Sequence, residues 1–272
     1  MGKFDHCLLV SDMDGTLFAD PQTIPQNNID AIQYFIENGG RFTIATGRSP
    51  MSVRTYMGQL PINCPIISTN GAQIYDATIN NRLYFCECNN NLKQAAIRAQ
   101  QKFPHISCFI SCGNVMYSPA VCAYHDIAER IECMKSTIIE RPEDIRDPWN
   151  KVLFFGDPDD VRSLYDYIKQ MNDESFDVVM SADYITEILP KNVNKGTALT
   201  KLCSILNIPV SQVYAIGDYY NDLQMLTVAG HSAAPKNAPQ DIRDLVDHVC
   251  CDHREGAVAD YIRYIEQSLK KG

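Results

Sequence analysis

Short apolar runs that stop at polar clusters set the rhythm of this chain. Leu8-Leu9-Val10-Ser11 runs into Asp12-Met13-Asp14-Gly15-Thr16, a strand pattern over 41–45 runs into Thr46-Gly47-Arg48, and one over 66–68 runs into Thr69-Asn70-Gly71. Helix-period segments over 28–37 and 50–59 lie between them. Repeated βα units with apolar strands predict an α/β fold built on a doubly wound, parallel, Rossmann-like sheet. In such sheets the ligand site lies beyond the carboxyl ends of the strands. All three polar clusters can therefore face one crevice.

The pattern changes after residue 72. Gln73-Ile74-Tyr75 and Leu83-Tyr84-Phe85, separated by Asn80-Asn81, predict a hairpin. A helix over 92–103, a strand over 151–155, a helix over 161–171 and an antiparallel pair over 177–180 and 184–189 follow, which is the texture of an inserted α+β domain. The βα rhythm resumes near Pro190, with a helix after Lys195, a strand over 213–216 and a last helix over 256–269. The expected division is a core from 1–84 and 190–272 around an insert at 85–189.

The strand ends carry the candidate chemistry. In extended backbone, residues two apart point to the same side, so Asp12 and Asp14 can converge where their strand stops. Two like charges held that close persist only with a cation, a shared proton or an electrophilic phosphorus between them. Gly217-Asp218-Tyr219-Tyr220-Asn221-Asp222 repeats this logic at a fourth strand end, with Asp218 and Asp222 on one face if a helix starts there. Asp218 alone would serve as a helix N-cap. Together with Asp12 and Asp14, the oxygen-rich set fits a hard divalent cation, Mg²⁺ first.

Composition limits the partners. The 272 residues are 45% hydrophobic and 21% charged, with a formal charge of −9, and no Lys/Arg stripe counters the acidity, so nucleic acid is not an expected partner. No apolar run is long enough for a membrane span, and residues 1–5 lack a signal peptide's apolar segment. Gly2 would suit myristoylation, but His6 stands where Ser or Thr is wanted. The expectation is a cytoplasmic protein with a small-molecule partner. Eleven cysteines, an odd number, point to reduced thiols, and Cys86-x-Cys88, Cys108-x3-Cys112 and Cys250-Cys251 lack the paired Cys-x2-Cys spacing of zinc sites.

Asp12-x-Asp14-Gly15-Thr16, Thr46-Gly47-Arg48, Lys195-Gly196 and Gly217-Asp218-x-x-Asn221-Asp222, in this order, resemble the four motifs of the haloacid dehalogenase-like superfamily. The position and texture of the insert, Asn70-Gly71-Ala72, Lys236-Asn237-Ala238 and Glu255-Gly256 resemble its Cof-type subfamily, phosphatases with a large cap domain. Pro235-Lys236 departs from the Met-Gly common there. The resemblance implies Asp12 as a nucleophile forming an aspartyl-phosphate, Asp14 as acid/base, and Thr46 and Lys195 as supports of the phosphoryl group. It implies Mg²⁺ on Asp12, the Asp14 main-chain carbonyl and Asp218, with Asn221 and Asp222 adjusting its surroundings, and phosphate or substrate contacts from Gly47, Arg48, Asn70, Gly71 and Asn221.

The implied activity is hydrolysis of small phosphate monoesters, with sugar phosphates as the first expectation. The alternatives are a phosphomutase or other phosphotransferase on the same core, which would pass the phosphoryl group to substrate instead of water, and a non-catalytic protein that binds phosphorylated ligands; a phospho-accepting receiver module would have no necessary use for Asp14. Lys191 is the rival of Lys195, but Gly196 follows Lys195 as the motif wants. Tyr184 and Glu187 are candidates to face the pocket, Trp149 is expected to pack or to mark a hinge, and oligomeric state is not legible.

Overall fold

The computed structural model describes residues 2–20, 23–119 and 121–270. The chain opens with β1 (Leu8–Ser11), α1 (Gln26–Glu37), β2 (Arg41–Ile44), α2 (Pro50–Arg54), β3 (Ile66–Ser68), β4 (Gln73–Asp76) and β5 (Asn81–Phe85). A middle block contributes α3 (Asn90–Lys102), β6 (Ser107–Cys112), β7 (Val115–Ser118), α4 (His125–Ile131), β8 (Thr137–Ile138), β9 (Lys151–Phe155), α5 (Pro158–Gln170), β10 (Phe176–Ala182) and β11 (Ile185–Pro190). The chain closes with α6 (Lys195–Leu206), β12 (Val213–Ile216), α7 (Leu223–Val228), β13 (His231–Pro235), α8 (Gln240–Arg243), β14 (His248–Cys250) and α9 (Ala257–Leu269).

The core sheet is parallel throughout, in the order β14-β13-β12-β1-β2, so β1 lies inside it with Val10 level with Ala215 on one side and Thr43 on the other. Successive residues of β1 serve opposite faces. Leu9 joins Phe42, Ile44 and Ile216 under α1 and α9, while Leu8 and Val10 join Ala215, Leu199 and Leu202 on the α6 side. A strand buried on both faces has to be apolar along its length. The fold is the expected α/β core, with helices on both faces of a parallel sheet and a second sheet inserted into it.

That second sheet runs β10-β11-β9-β6-β7-β8, and among the described residues all its strands come from Ser107–Pro190. Leu92, Ala95, Leu164 and Ile168 of α3 and α5 cover one face against Val152, Phe154 and Ile188, and Trp149 packs within this cluster. Phe109, Leu153, Phe155 and Ala128 of α4 fill the other.

Two local expectations change. The helix predicted over 50–59 is only Pro50–Arg54, with turns after it. Ser49 and Pro50 fix its start, and beyond Arg54 the chain runs on as turns that still bury Tyr56 and Leu60 in the core, with Gly58, a poor helix former, inside that stretch. β3 pairs antiparallel with β4 and meets the parallel sheet at a single bridge, Ala45 to Ile67. Side chains take over the ladder there: the Phe42 N–H donates to Asn63 Oδ1 at 2.7 Å and Thr43 Oγ1 donates to the Pro65 carbonyl at 2.7 Å. Among the described residues no helix is long and apolar enough to cross a membrane.

Candidate active site

Asp12 leaves β1 as the chain turns outward, its N–H held by the Ile216 carbonyl of β12. Gly15 sits at φ +78°, and a Cβ there would lie 2.4 Å from Asp218 Oδ2, so the turn needs glycine for both conformation and space. Thr16 donates from Oγ1 to Asp218 Oδ1 at 3.0 Å, and Asn237 donates to the Gly15 carbonyl at 2.9 Å. The first and last strand-end loops are thus tied together.

Lys195 enters from the first turn of α6, whose N-cap Asn194 accepts from the Thr197 N–H in a capping box. Fully buried, its ammonium donates to Asp12 Oδ1 at 2.6 Å and to Asp222 Oδ1 at 2.5 Å. Asp222 Oδ2 accepts from the backbone N–H groups of Asp218 and Tyr219 at 3.0 and 3.3 Å. Burial drives the Asp12 carboxyl well above the usual range, with Lys195 pulling it back and Asp222, Asp218 and Asp14 pushing the same way as burial. Burial and the neighbouring Asp222 push Asp218 up to about 7. Lys195 is held above the ordinary lysine range because its two carboxylate partners outweigh burial.

Carboxylate oxygens of Asp12, Asp218 and Asp222 lie within 4.8 Å of one another. Three clustered acids, two of them buried, with one ammonium among them fit a hard divalent cation, which would offset both the burial and the mutual repulsion that oppose ionisation of Asp12 and Asp218. A second group, His248, Cys250 and Asp260, stands at edge strand β14 and lines no part of this cleft.

Asp14 points away from Asp12's partners. Its half-exposed carboxylate takes two bonds from Arg48, Nε to Oδ2 at 2.8 Å and Nη2 to Oδ1 at 2.7 Å. Arg48 is itself buried, lies over the rings of Phe18 and Tyr56, and donates from Nη1 to the Ile131 carbonyl at 2.5 Å. The guanidinium is therefore committed to Asp14 and to α4. Thr46 Oγ1 accepts the Arg48 N–H at 3.1 Å, which leaves its hydroxyl proton free to donate.

Gly47 gives its carbonyl to Lys151 Nζ at 2.7 Å. The same ammonium pairs with Glu187 Oε1 at 2.8 Å, and Glu187 Oε2 accepts from Asn70 Nδ2. Asn70 Oδ1 in turn accepts from Asn221 at 3.3 Å. Gly71 adopts φ +93° where a Cβ would lie 2.2 Å from the Asn194 carbonyl, so it lets the turn after β3 touch the start of α6. Asp12, Asp14, Thr46, Gly47, Arg48, Asn70, Lys195, Asp218, Asn221 and Asp222 are thus linked at the ends of the core strands, and Tyr184 and Glu187 stand in the wall of the cleft above Asp12 and Asp14. Lys151 and Glu132 were not foreseen. A lysine opening the apolar run Lys151-Val152-Leu153-Phe154-Phe155 was the available signal for the first.

A family model described as haloacid dehalogenase-like hydrolase matches residues 9–262. The chain belongs to the haloacid dehalogenase-like hydrolases. It is 25% identical to one Bacillus subtilis protein named 5-amino-6-(5-phospho-D-ribitylamino)uracil phosphatase, over 94% of this chain and 96% of the relative. A second Bacillus subtilis protein of the same name is 27% identical over 96% of each chain. In fold, the crystal structure of a haloacid dehalogenase-like hydrolase from Bacteroides thetaiotaomicron superposes with a TM-score of 0.85 at 24% identity, covering 95% of this chain and 99% of that one. The family model makes this chain a haloacid dehalogenase-like hydrolase, the solved structure shows the shared fold, and both relatives carry the name of a phosphatase.

Proposed function

We propose that this hydrolase is a Mg²⁺-dependent phosphatase of small phosphate monoesters, sugar or polyol phosphates first, and that it works through an aspartyl-phosphate on Asp12. The observation that carries the proposal is the buried Asp12 carboxylate, held through one oxygen by Lys195 at 2.6 Å and open to the cleft. The fixed oxygen leaves the other to meet phosphorus in line. Displacement of the ester oxygen and then of Asp12 by water splits the reaction into two easier steps. Mg²⁺, held by Asp12, Asp218 and the Asp14 main-chain carbonyl, would offset charge on the phosphoryl oxygens.

The remaining roles follow from partners already in place. Asp14 takes the acid/base role in this reading: both its oxygens accept from Arg48, so it gives a proton to the leaving oxygen and takes one from the attacking water after turning an oxygen out of that fork. Thr46 donates its hydroxyl to a phosphoryl oxygen, and Lys195 neutralises charge on Asp12 and phosphate. Asp222, with both oxygens engaged, holds Lys195 and the 218–219 turn. Asn70 and Asn221 order the far side of the phosphate pocket. Residues 1–84 and 190–272 form the catalytic core in this reading, and 85–189 the cap that covers the leaving group. Two relatives named for a 5-phospho-D-ribitylamino substrate favour a phosphate on a hydroxylated chain.

The test is phosphate release from a panel of monoesters, with Mg²⁺ or EDTA, by the wild type and by Asp12→Asn. Mg²⁺-dependent release that falls by about a thousandfold or more in the variant is expected. Undiminished turnover by Asp12→Asn would overturn the nucleophile, and phosphate moving between sugar positions without release would identify a mutase.

A further inference from the structure

The cleft above Asp12 and Asp14 encloses about 770 Å³, and part of its wall has no place in the chemistry of the phosphoryl group. Glu132, just past the end of α4, belongs to that wall. Its neighbours are satisfied: Glu187 by Lys151 and Asn70, Asp14 by Arg48. Glu132 is not. It is 7% exposed, yet among the described residues its carboxylate makes no hydrogen bond and no salt bridge. Its backbone N–H is already used by the Ala128 carbonyl, so the helix end does not depend on the carboxyl group.

A carboxylate that is 7% exposed, opens only on the cleft and is reached by no protein donor among the described residues keeps little hydration, and a ligand that brings donors would be favoured there. The open space in front of this one is the cleft where a leaving group must lie. Burial pushes the Glu132 carboxyl upward, against the pull of Lys151 and Arg48, as expected for an acid waiting for donors. The surrounding charge narrows the choice. Asp183 and Glu187 also line the cleft, Arg48 is consumed by Asp14, and Arg130 is exposed.

We infer that Glu132 reads the leaving group, accepting hydrogen bonds from hydroxyls of a polyhydroxylated phosphate ester and disfavouring a leaving group that carries a second anion. The inference rests on the phosphatase reading, because only hydrolysis puts a leaving group there. A carboxylate can accept from two hydroxyls at once, and a site built for a hydroxyl rejects an analogue that lacks it more strongly than an apolar pocket rejects a missing methylene. A second phosphate or carboxylate facing Glu132 would meet repulsion in a poorly solvated place.

The experiment measures kcat/KM of the wild type, Glu132→Gln and Glu132→Ala on three esters. Ribitol 5-phosphate has a hydroxyl-rich leaving group, phenyl phosphate has none, and fructose 1,6-bisphosphate carries a second anion. Glu132→Ala is expected to lose about 10- to 100-fold on ribitol 5-phosphate, with a loss on phenyl phosphate at least about tenfold smaller. Both variants should narrow the preference for ribitol 5-phosphate over the bisphosphate. If Glu132→Ala does not fold, Glu132→Gln carries the same comparison. Equal losses on ribitol 5-phosphate and phenyl phosphate, or no loss on ribitol 5-phosphate, overturn the inference while leaving the phosphatase reading intact. Failure of the wild type to release phosphate from any ester overturns both.

Discussion

At the residue scale, the site is organised around one buried ammonium. Lys195 has no exposed surface and holds two carboxylates, Asp12 and Asp222, from different loops. Removing one partner from a buried ionic group is far more damaging than never having built it, because the remaining charges lose their compensation. Lys195→Met is therefore expected to abolish turnover and to lower stability in urea by about 3–5 kcal/mol. A variant as stable as the wild type would show that the Lys195 ammonium does not hold Asp12 and Asp222 in place. Asp12, Lys195 and Asp218 were legible in the sequence because each follows or opens an element at a characteristic spacing. Glu132 was not, because a glutamate after a helix is ordinarily a solvated residue.

At the element scale, the first turn of α6 aims Lys195. Asn194 caps it, accepting from the Thr197 N–H at 2.9 Å, and the Asn194 carbonyl packs against Gly71. Asn194→Ala should cost about 1 kcal/mol in chemical denaturation, a typical N-cap loss. It should also lower kcat, since the turn that carries Lys195 loosens. Unchanged denaturation would assign the cap's strength to Thr197, whose Oγ1 accepts the Asn194 N–H at 3.2 Å. The buried core strands were readable from their unbroken apolar runs and α1 and α9 from their helical period, because these elements bury continuous faces. The length of α2 and the partner of β3 were not: the buried helical period through Val53, Tyr56 and Leu60 continues after the backbone has left the helix, and at β3 the side chains of Asn63 and Thr43 outweigh the local pattern.

At the scale of the whole molecule, a helix beside each of the two larger sheets carries a carboxylate held well below its usual range. Glu129 of α4 stays near 2: burial works against ionisation but is outweighed by Lys135 and by the backbone and hydroxyl of Ser136. Glu266 on α9 also stays near 2, mainly through Lys3 from the start of the chain, then Lys270. As pH falls, the unfolded chain takes up these protons before the folded one does, so the stabilisation is complete above the ordinary glutamate range and is lost as pH falls towards 2. Between about pH 5 and pH 2, Glu129→Gln and Glu266→Gln should therefore each flatten the dependence of thermal stability on pH. A wild-type-like slope in both would place the acid sensitivity elsewhere. The sequence by itself determined the parallel α/β core, the insertion between its second and third motifs, and the residues at its strand ends, because strand periodicity and motif spacing are local. Only the tertiary structure decided that Arg48 is spent on Asp14, that Lys151 and Glu187 tie the inserted sheet to the turns after β2 and β3 through Gly47 and Asn70, and that Glu132 is left facing the cleft. Those facts depend on which distant side chains share a buried volume, and no periodicity along one chain encodes that.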